Sequence, residues 1–312
     1  MPPVDRNNPV RGAGSDSRYS LMEFVKTYPD DAACLDFLWR ERFASDGHTA
    51  YCGKCGEMRK HHRVKSRPLY SCDHCGHGIH PTAGTIFHKS STSLHLWFYA
   101  MYLMTSTRCG LSAKQLEREL GVTYKTAWRM FNKIRNQLMA EEAGMLTGEV
   151  EVDETSVEGK PRKHFRTRSE ALRYREQRRT TVIAAVERGG RIKATVLPGR
   201  RGPALKEQVI TWVQPEAIIY TDEWPAYSGL DRTFAAHSRI SHGSGRYVDG
   251  PTHTNTVEGF FGNLKTGIRG NYKKVSHRWL QGYLNEFTWR YNHRHDRRAQ
   301  FETLLRRAAS LT

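Results

Sequence analysis

Four cysteines in two C-x₂-C pairs, Cys52/Cys55 and Cys72/Cys75, with sixteen residues between the pairs, constrain this chain more than any other feature. That spacing lets two short knuckles bring four thiolates to one tetrahedral point, as a small zinc ribbon requires. Each pair is followed by glycine (CGKCG and CDHCG). Glycine takes positive φ freely and so lets backbone N–H groups turn toward the sulfurs. Two disulfides are the competing reading and would suit an exported chain. The opening MPPVDRNNPVRGAGSDSRYS has no apolar run behind a charged start, so export is not expected. Structural Zn²⁺ is therefore expected on Cys52, Cys55, Cys72 and Cys75. Because four thiolates complete the tetrahedron, His61, His62, His74, His77 and His80 are expected to face solvent or phosphate. Cys34 and Cys109 are expected to be small buried hydrophobes.

A ribbon accounts for a fraction of 312 residues, and charge indicates what the remainder meets. Lys and Arg number 49 against 32 Asp and Glu, a formal net charge of +17. A polyanion is the expected partner, and double-stranded DNA fits better than a membrane surface because neither terminus carries a lipidation motif or a strongly amphipathic basic segment. The longest apolar stretch, Leu96 to Met104, is nine residues, against the roughly 20 needed to cross a bilayer. No membrane partner is expected, and the chain is expected in the cytoplasm.

Along the chain, residues 1–18 read as a disordered tail, and residues 19–90 as N-terminal helices followed by the ribbon. Residues 91–140 read as a helix-turn-helix, in which Leu116 and Leu120 share a face, Gly121 breaks the helix, Thr123 caps the next, and Ala127, Phe131 and Ile134 form its apolar stripe. Tyr124, Lys125, Arg129 and Lys133 would then face a DNA groove; a helical hairpin on a core is the plainer alternative. Residues 146–312 change texture. Short β-branched runs at 150–157, 180–187, 191–197 and 217–221, with a Gly189-Gly190 hairpin and a helix from Pro203 to Val213, predict a mixed sheet with flanking helices. Helices are expected from Asn255 to Ile268 and from His277 to Tyr291. The basic run Gly159 to Arg179, with Lys160, Arg162 and Lys163 near its start, reads as a solvated loop or a phosphate-binding arm.

In so basic a chain, the run EVEVDETSVE is out of character: Glu149, Glu151, Asp153, Glu154 and Glu158 fall within ten residues. Asp222 and Glu223 follow the apolar strand AIIYT at its carboxyl end, where functional groups of α/β sheets gather. Glu258 lies near the start of the helix NTVEGFFGNLK. Should Asp153, Asp222 and Glu258 converge, their repulsion calls for a divalent cation, and oxygen-only ligation suits Mg²⁺ or Mn²⁺. Two such ions serve phosphodiester displacement. Lys265, seven residues beyond Glu258, projects from the same helix face toward a phosphate bound there. Asn255 and Glu258 also make a capping-box-like pair.

Zinc ribbon, helix-turn-helix, VDET, YTDEWPAY and HTNTVEGFFGNLKTGIRG, in that order, resemble the DDE transposases of bacterial insertion sequences, in the zinc-ribbon-bearing, ISXO-like group. The resemblance covers nearly all of the chain beyond the tail. It implies a multidomain protein whose last domain is RNase H-like, cleaving transposon ends and joining them to target DNA, with inverted repeats and target as its DNA partners. It further implies a homo-oligomer on DNA, associated with the nucleoid. Asp153 and Asp222 carry over as the first two metal ligands. The third position is left between Glu258 and Asn255, because subgroups differ there. A zinc-ribbon DNA-binding regulator without catalysis and an RNase H-like nuclease without strand transfer are the alternatives. The first leaves the acidic strand unexplained.

Overall fold

The computed structural model describes residues 19–107, 109–140, 144–157, 167–170, 173, 180–197, 202–240, 253–296 and 299–310. The expected tail at 1–18, Glu158, and Lys160, Arg162 and Lys163 of the basic arm lie outside these residues. The chain divides into two compact units, one from Met1–Arg108, Leu116–Ile134 and His293–Thr312, the other from Cys109–Gln115 and Arg135–Asn292.

The first unit opens with α1 (Leu21–Thr27) and α2 (Asp31–Arg42). Ser20 caps α1 in a capping box with Glu23, and Asp30 caps α2 through Ala33 N. A four-stranded antiparallel ribbon follows, β1 (Thr49–Cys52), β2 (Glu57–Val64), β3 (Leu69–Cys72) and β4 (Gly78–Ile79), in that spatial order. Trp39 of α2 ties the ribbon down. Its ring stacks on Tyr70 at 4.1 Å, and its indole N–H donates to Gly47 O at 2.9 Å. Beyond the ribbon come α3 (Leu94–Ser106), α4 (Ala113–Leu120) and α5 (Tyr124–Lys133). Gly121 separates the last two at φ +63, and Thr123 Oγ1 accepts from Thr126 N. The closing helix α9 (Gln300–Ser310) packs on α2 and α3, with Phe301 buried among Phe24, Tyr28 and Tyr102. The end of the 146–312 stretch thus joins the first unit: burying Phe301 in an aromatic cluster outweighs proximity in sequence.

The second unit is built on a five-stranded mixed sheet in the order β7-β6-β5-β8-β9. Strands β5 (Glu149–Val157), β6 (Thr180–Glu187) and β7 (Ile192–Leu197) are antiparallel neighbours. On the other side of β5, β8 (Ile218–Asp222) and β9 (Ala236–Ile240) run parallel to it. The turn between β6 and β7 is a three-residue loop, Arg188 to Gly190, because Glu187 N pairs with Arg191 O; the expected two-residue Gly-Gly turn gives way to it. Alternation along β5 separates two cores. Val157, with Val182, Ala184 and Val186 of β6, packs under α7 (Asn255–Gly267) and α8 (His277–Asn292). Val150 and Val152, with Ile183 and Ala185, pack under α6 (Gly202–Trp212). At the end of α8's packing surface, the buried pair Arg135 and Glu286 meets at 2.6 Å, the guanidinium 3.8 Å from the Tyr283 ring centre. No helix among the described residues is long and apolar enough to cross a membrane.

Candidate functional site

The four cysteines of the ribbon come together. Their sulfurs lie within 4.8 Å of one another, Cys52 to Cys75 at 3.6 Å and Cys55 to Cys72 at 3.9 Å. A tetrahedron with zinc–sulfur bonds of about 2.3 Å needs sulfur separations of about 3.8 Å, so the donor set fits zinc. The sequence places each knuckle locally: Gly56 N bonds Cys52 O and Gly76 N bonds Cys72 O, with φ of +74 and +69 at the two glycines. The backbone N–H groups of Cys55 and Lys54 lower the Cys52 thiol to about 6, which favours the thiolate a metal needs. His61 corrects one expectation. It is buried, packs 5.5 Å from Trp39 and bonds Arg59 O, so it serves the joint between ribbon and α2. Cys34 is buried as expected, but Cys109 is exposed.

The acidic strand is the second site, and alternation sorts its residues. Glu151 and Asp153 share the face of β5 that looks toward α7, while Glu154 lies on the other face, where Tyr227 donates to its Oε2 at 2.7 Å. Strand β5 pairs with β8 through Glu149 to Ile218 and Glu151 to Tyr220. Continued two positions, that register sets Asp153 beside Asp222. Asp222 is oriented by Trp224 N, which donates to its Oδ1 at 3.0 Å; Asp153 Oδ1 accepts from Glu154 N at 2.8 Å. The Asp153 carboxyl is pushed up to about 7, first by burial, then by the charge of Glu154 and by those of Asp222 and Glu258. Asp153 therefore feels the charge of both Asp222 and Glu258. Their oxygens are not drawn as close as the thiols; among the described residues the four cysteines alone bring their ligand atoms within 4.8 Å of one another. An acid whose proton is retained by burial and by anionic neighbours fits a site whose charge a divalent cation would offset.

Glu258 and Asn255 part company on α7. Thr254, not Asn255, is the N-cap residue, and Asn255 stands exposed in the first turn. The expected capping box is absent because the helix's first N–H groups already have a partner. Glu151, wholly buried, accepts from Thr256 N at 2.8 Å, Thr256 Oγ1 at 2.9 Å and Val257 N at 3.2 Å. The same carboxylate takes Arg188 Nε at 2.9 Å, and His253 Nδ1 stands 3.2 Å away. Glu258 is held instead by Thr254 Oγ1 at 2.8 Å. Lys265 lies half-buried farther along α7. Sequence reasoning missed Glu151 and Arg188 as the joint that seats this helix. The V-E-V-D alternation, which puts Glu151 and Asp153 on one face, carried the signal.

Among the residues expected to meet DNA, Tyr124 and Lys125 are exposed, the Tyr124 ring 6.3 Å from that of Trp128. Arg129, also exposed, donates to Thr92 Oγ1 at 3.2 Å. Lys133 turns back and donates to Ile86 O at 3.1 Å.

Residues 145–292 match the family model of the ISXO2-like transposase domain, and residues 29–78 that of the transposase zinc-ribbon domain. An uncharacterized protein in transposable element ISH50 of Halobacterium salinarum is 28% identical over 279 residues, covering 85% of this chain and 92% of that protein. An uncharacterized transposase-like protein of Haemophilus influenzae is 26% identical over 102 residues, 33% of this chain and 81% of that one. A chain of a simian T-cell lymphotropic virus intasome in complex with the PP2A regulatory subunit B56 gamma aligns with a TM-score of 0.32 at 16% identity, over 66% of this chain and 74% of that chain, too slight a likeness to bear on fold or partner.

Proposed function

We propose that the chain, an insertion-sequence transposase by its ISXO2-like domain and its transposase zinc ribbon, cleaves double-stranded DNA at transposon ends and joins those ends to target DNA. The observation that carries this reading is the parallel pairing of β5 with β8, whose register runs toward Asp153 and Asp222, together with the charges of Asp222 and Glu258 reaching Asp153. In this reading the second unit is an RNase H-like catalytic domain, and Asp153, Asp222 and Glu258 hold Mg²⁺ or Mn²⁺. The bound cation supplies charge neutralisation and in-line alignment for displacement at a phosphodiester.

The chain's own residues prepare that site. Asp153 would give up its proton to hold the cation, so loading would be favoured at higher pH. Asp222, fixed by Trp224 N, and Glu258, fixed by Thr254, enter with little side-chain freedom left to lose. Lys265 stands on the same helix as Glu258 and neutralises a phosphate drawn to the site. Helices α4 and α5 act as a helix-turn-helix with Tyr124, Lys125 and Arg129 toward DNA, with Lys160, Arg162 and Lys163 as a further basic arm, and the protein works as a homo-oligomer on the two ends at the nucleoid. Glu258 rather than Asn255 fills the third position, since a carboxylate offsets cation charge and an amide does not.

Single-turnover reactions with labelled ends and Mg²⁺ test this. Asp153→Asn, Asp222→Asn and Glu258→Gln should each lower nicking and joining by about 1000-fold, the equivalent of about 4 kcal/mol, while leaving end binding intact; Asn255→Asp should retain most activity. Full turnover by Glu258→Gln beside two inactive aspartate variants would move the third ligand elsewhere. Nicking without joining would make the protein a nuclease, and binding without nicking a regulator.

A further inference from the structure

On the first unit, the turn at 65–68 between β2 and β3 and the segment 80–94 leading into α3 border a cleft of about 630 Å³. Its charge is one-sided. Lys65, Arg67 and Lys89 line it with exposed side chains, joined by His80 and His88. The acid that lines it, Asp31, is already engaged, because its Oδ1 accepts from Ser93 Oγ at 2.5 Å and from His95 N at 2.8 Å at the start of α3. Arg63 acts on the turn itself, since its guanidinium donates to the carbonyls of Val64, Arg67 and Leu69 and thereby fixes the loop that carries Lys65 and Arg67. Lys89 sits at φ +52, a left-handed conformation that a lysine keeps only where its surroundings hold it. Hydroxyls of Ser91 and Thr92 add short neutral groups along the same wall, while that of Ser90 is engaged with Thr92 and Trp97. Thr92 is also the acceptor for Arg129, so the cleft borders α5.

Cations along an open trough lined by hydroxyls suit a row of phosphates, and the lining holds no Asn or Gln amide to read an adenine edge. We propose that this cleft seats the sugar–phosphate backbone of duplex DNA beside α5 and binds it without regard to sequence. The inference rests on the reading of the protein as one that acts on DNA, and it assigns to Lys65, Arg67 and Lys89 a contact separate from the carboxylate site. These three supply phosphate contacts that fix the register of the duplex while α5 faces the groove.

The test uses the full chain with Lys65→Gln, Arg67→Gln and Lys89→Gln combined. Binding is measured over a range of salt to a duplex bearing the terminal inverted repeat and to an unrelated duplex of equal length. Both affinities should fall by the same factor, on the order of 100-fold near physiological salt, and the slope of log affinity against log salt should become shallower by about 2 to 3. Zinc content and thermal melting verify the fold; should the triple variant lose zinc, the single changes at Arg67 and Lys89 replace it, each expected to take about 1 from the slope. Unchanged affinity and slope in a zinc-replete variant would overturn the proposal, as would a loss confined to the repeat-bearing duplex. Displacement of DNA from the wild-type chain by millimolar inorganic phosphate at constant ionic strength would also overturn it, by making the cleft a free-phosphate site. Failure of the wild-type chain to bind either duplex would instead overturn the reading on which the proposal rests.

Discussion

The two candidate metal centres are built in opposite ways. In the ribbon, four thiols already stand within 4.8 Å of one another. They are donated by two knuckles whose geometry is set within five residues each. At the sheet, the carboxylates come from β5, β8 and α7, are fixed by separate hydrogen bonds, and meet as like charges. The first arrangement suits a metal that folds the ribbon; the second, in the proposed reading, gathers negative charge that a cation would offset. Within the sheet the contrast recurs two residues apart on one strand face: Glu151 accepts from several donors, whereas Asp153 accepts from Glu154 N and meets burial and the charges of Glu154, Asp222 and Glu258.

The largest expected effect tests the ribbon. Chelation, or Cys72→Ser, removes on the order of 10 kcal/mol of metal-coupled folding free energy, so residues 49–79 should become protease-sensitive while the sheet stays protected. A ribbon that remained resistant in chelator would erase the contrast. Next comes the pair on β5. Glu151→Gln breaks a buried ion pair and disturbs the seat of α7, costing about 3 kcal/mol or more in denaturant unfolding, whereas Asp153→Asn relieves repulsion and should raise stability even as it removes activity. Equal signs for the two would show that they do the same job.

The smallest effect is a pH dependence. With its carboxyl near 7 against an ordinary value of 3.8, the folded protein keeps a proton on Asp153 that the unfolded chain has released. The unfolded state then binds fewer protons, so metal-free stability declines as pH rises from about 4 to about 7, by about 2 kcal/mol after allowance for solvent. Asp153→Asn should abolish the decline, and Mg²⁺ should raise the melting temperature more at pH 8 than at pH 5. A metal-free stability that climbs across this window would refute the assigned cause.

What can be read from the sequence follows the range of the interactions. Cysteine spacing, the β-branched runs and the break at Gly121 are local, and the structure returns a four-cysteine cluster, β5 to β8 and the α4–α5 turn within a residue or two of expectation. Strand β9, AHSRI, is not legible because it has no apolar run; it is recruited by the parallel edge of β8. Asn255 reads as the cap because any Asn at a helix start favours that role. What decides otherwise is Glu151, more than a hundred residues earlier. Phe301 likewise finds its partners at the other end of the chain.

The seat of α7 also bears on the order of events during synthesis. Glu151 emerges from the ribosome well before Arg188, His253, Thr256 and Val257, the residues that surround its carboxylate. Until they arrive, β5 cannot close over this face without stranding a charge, so the strand that carries Asp153 is secured only as the helix carrying Glu258 arrives. Nascent and truncated chains thus lack an assembled carboxylate set.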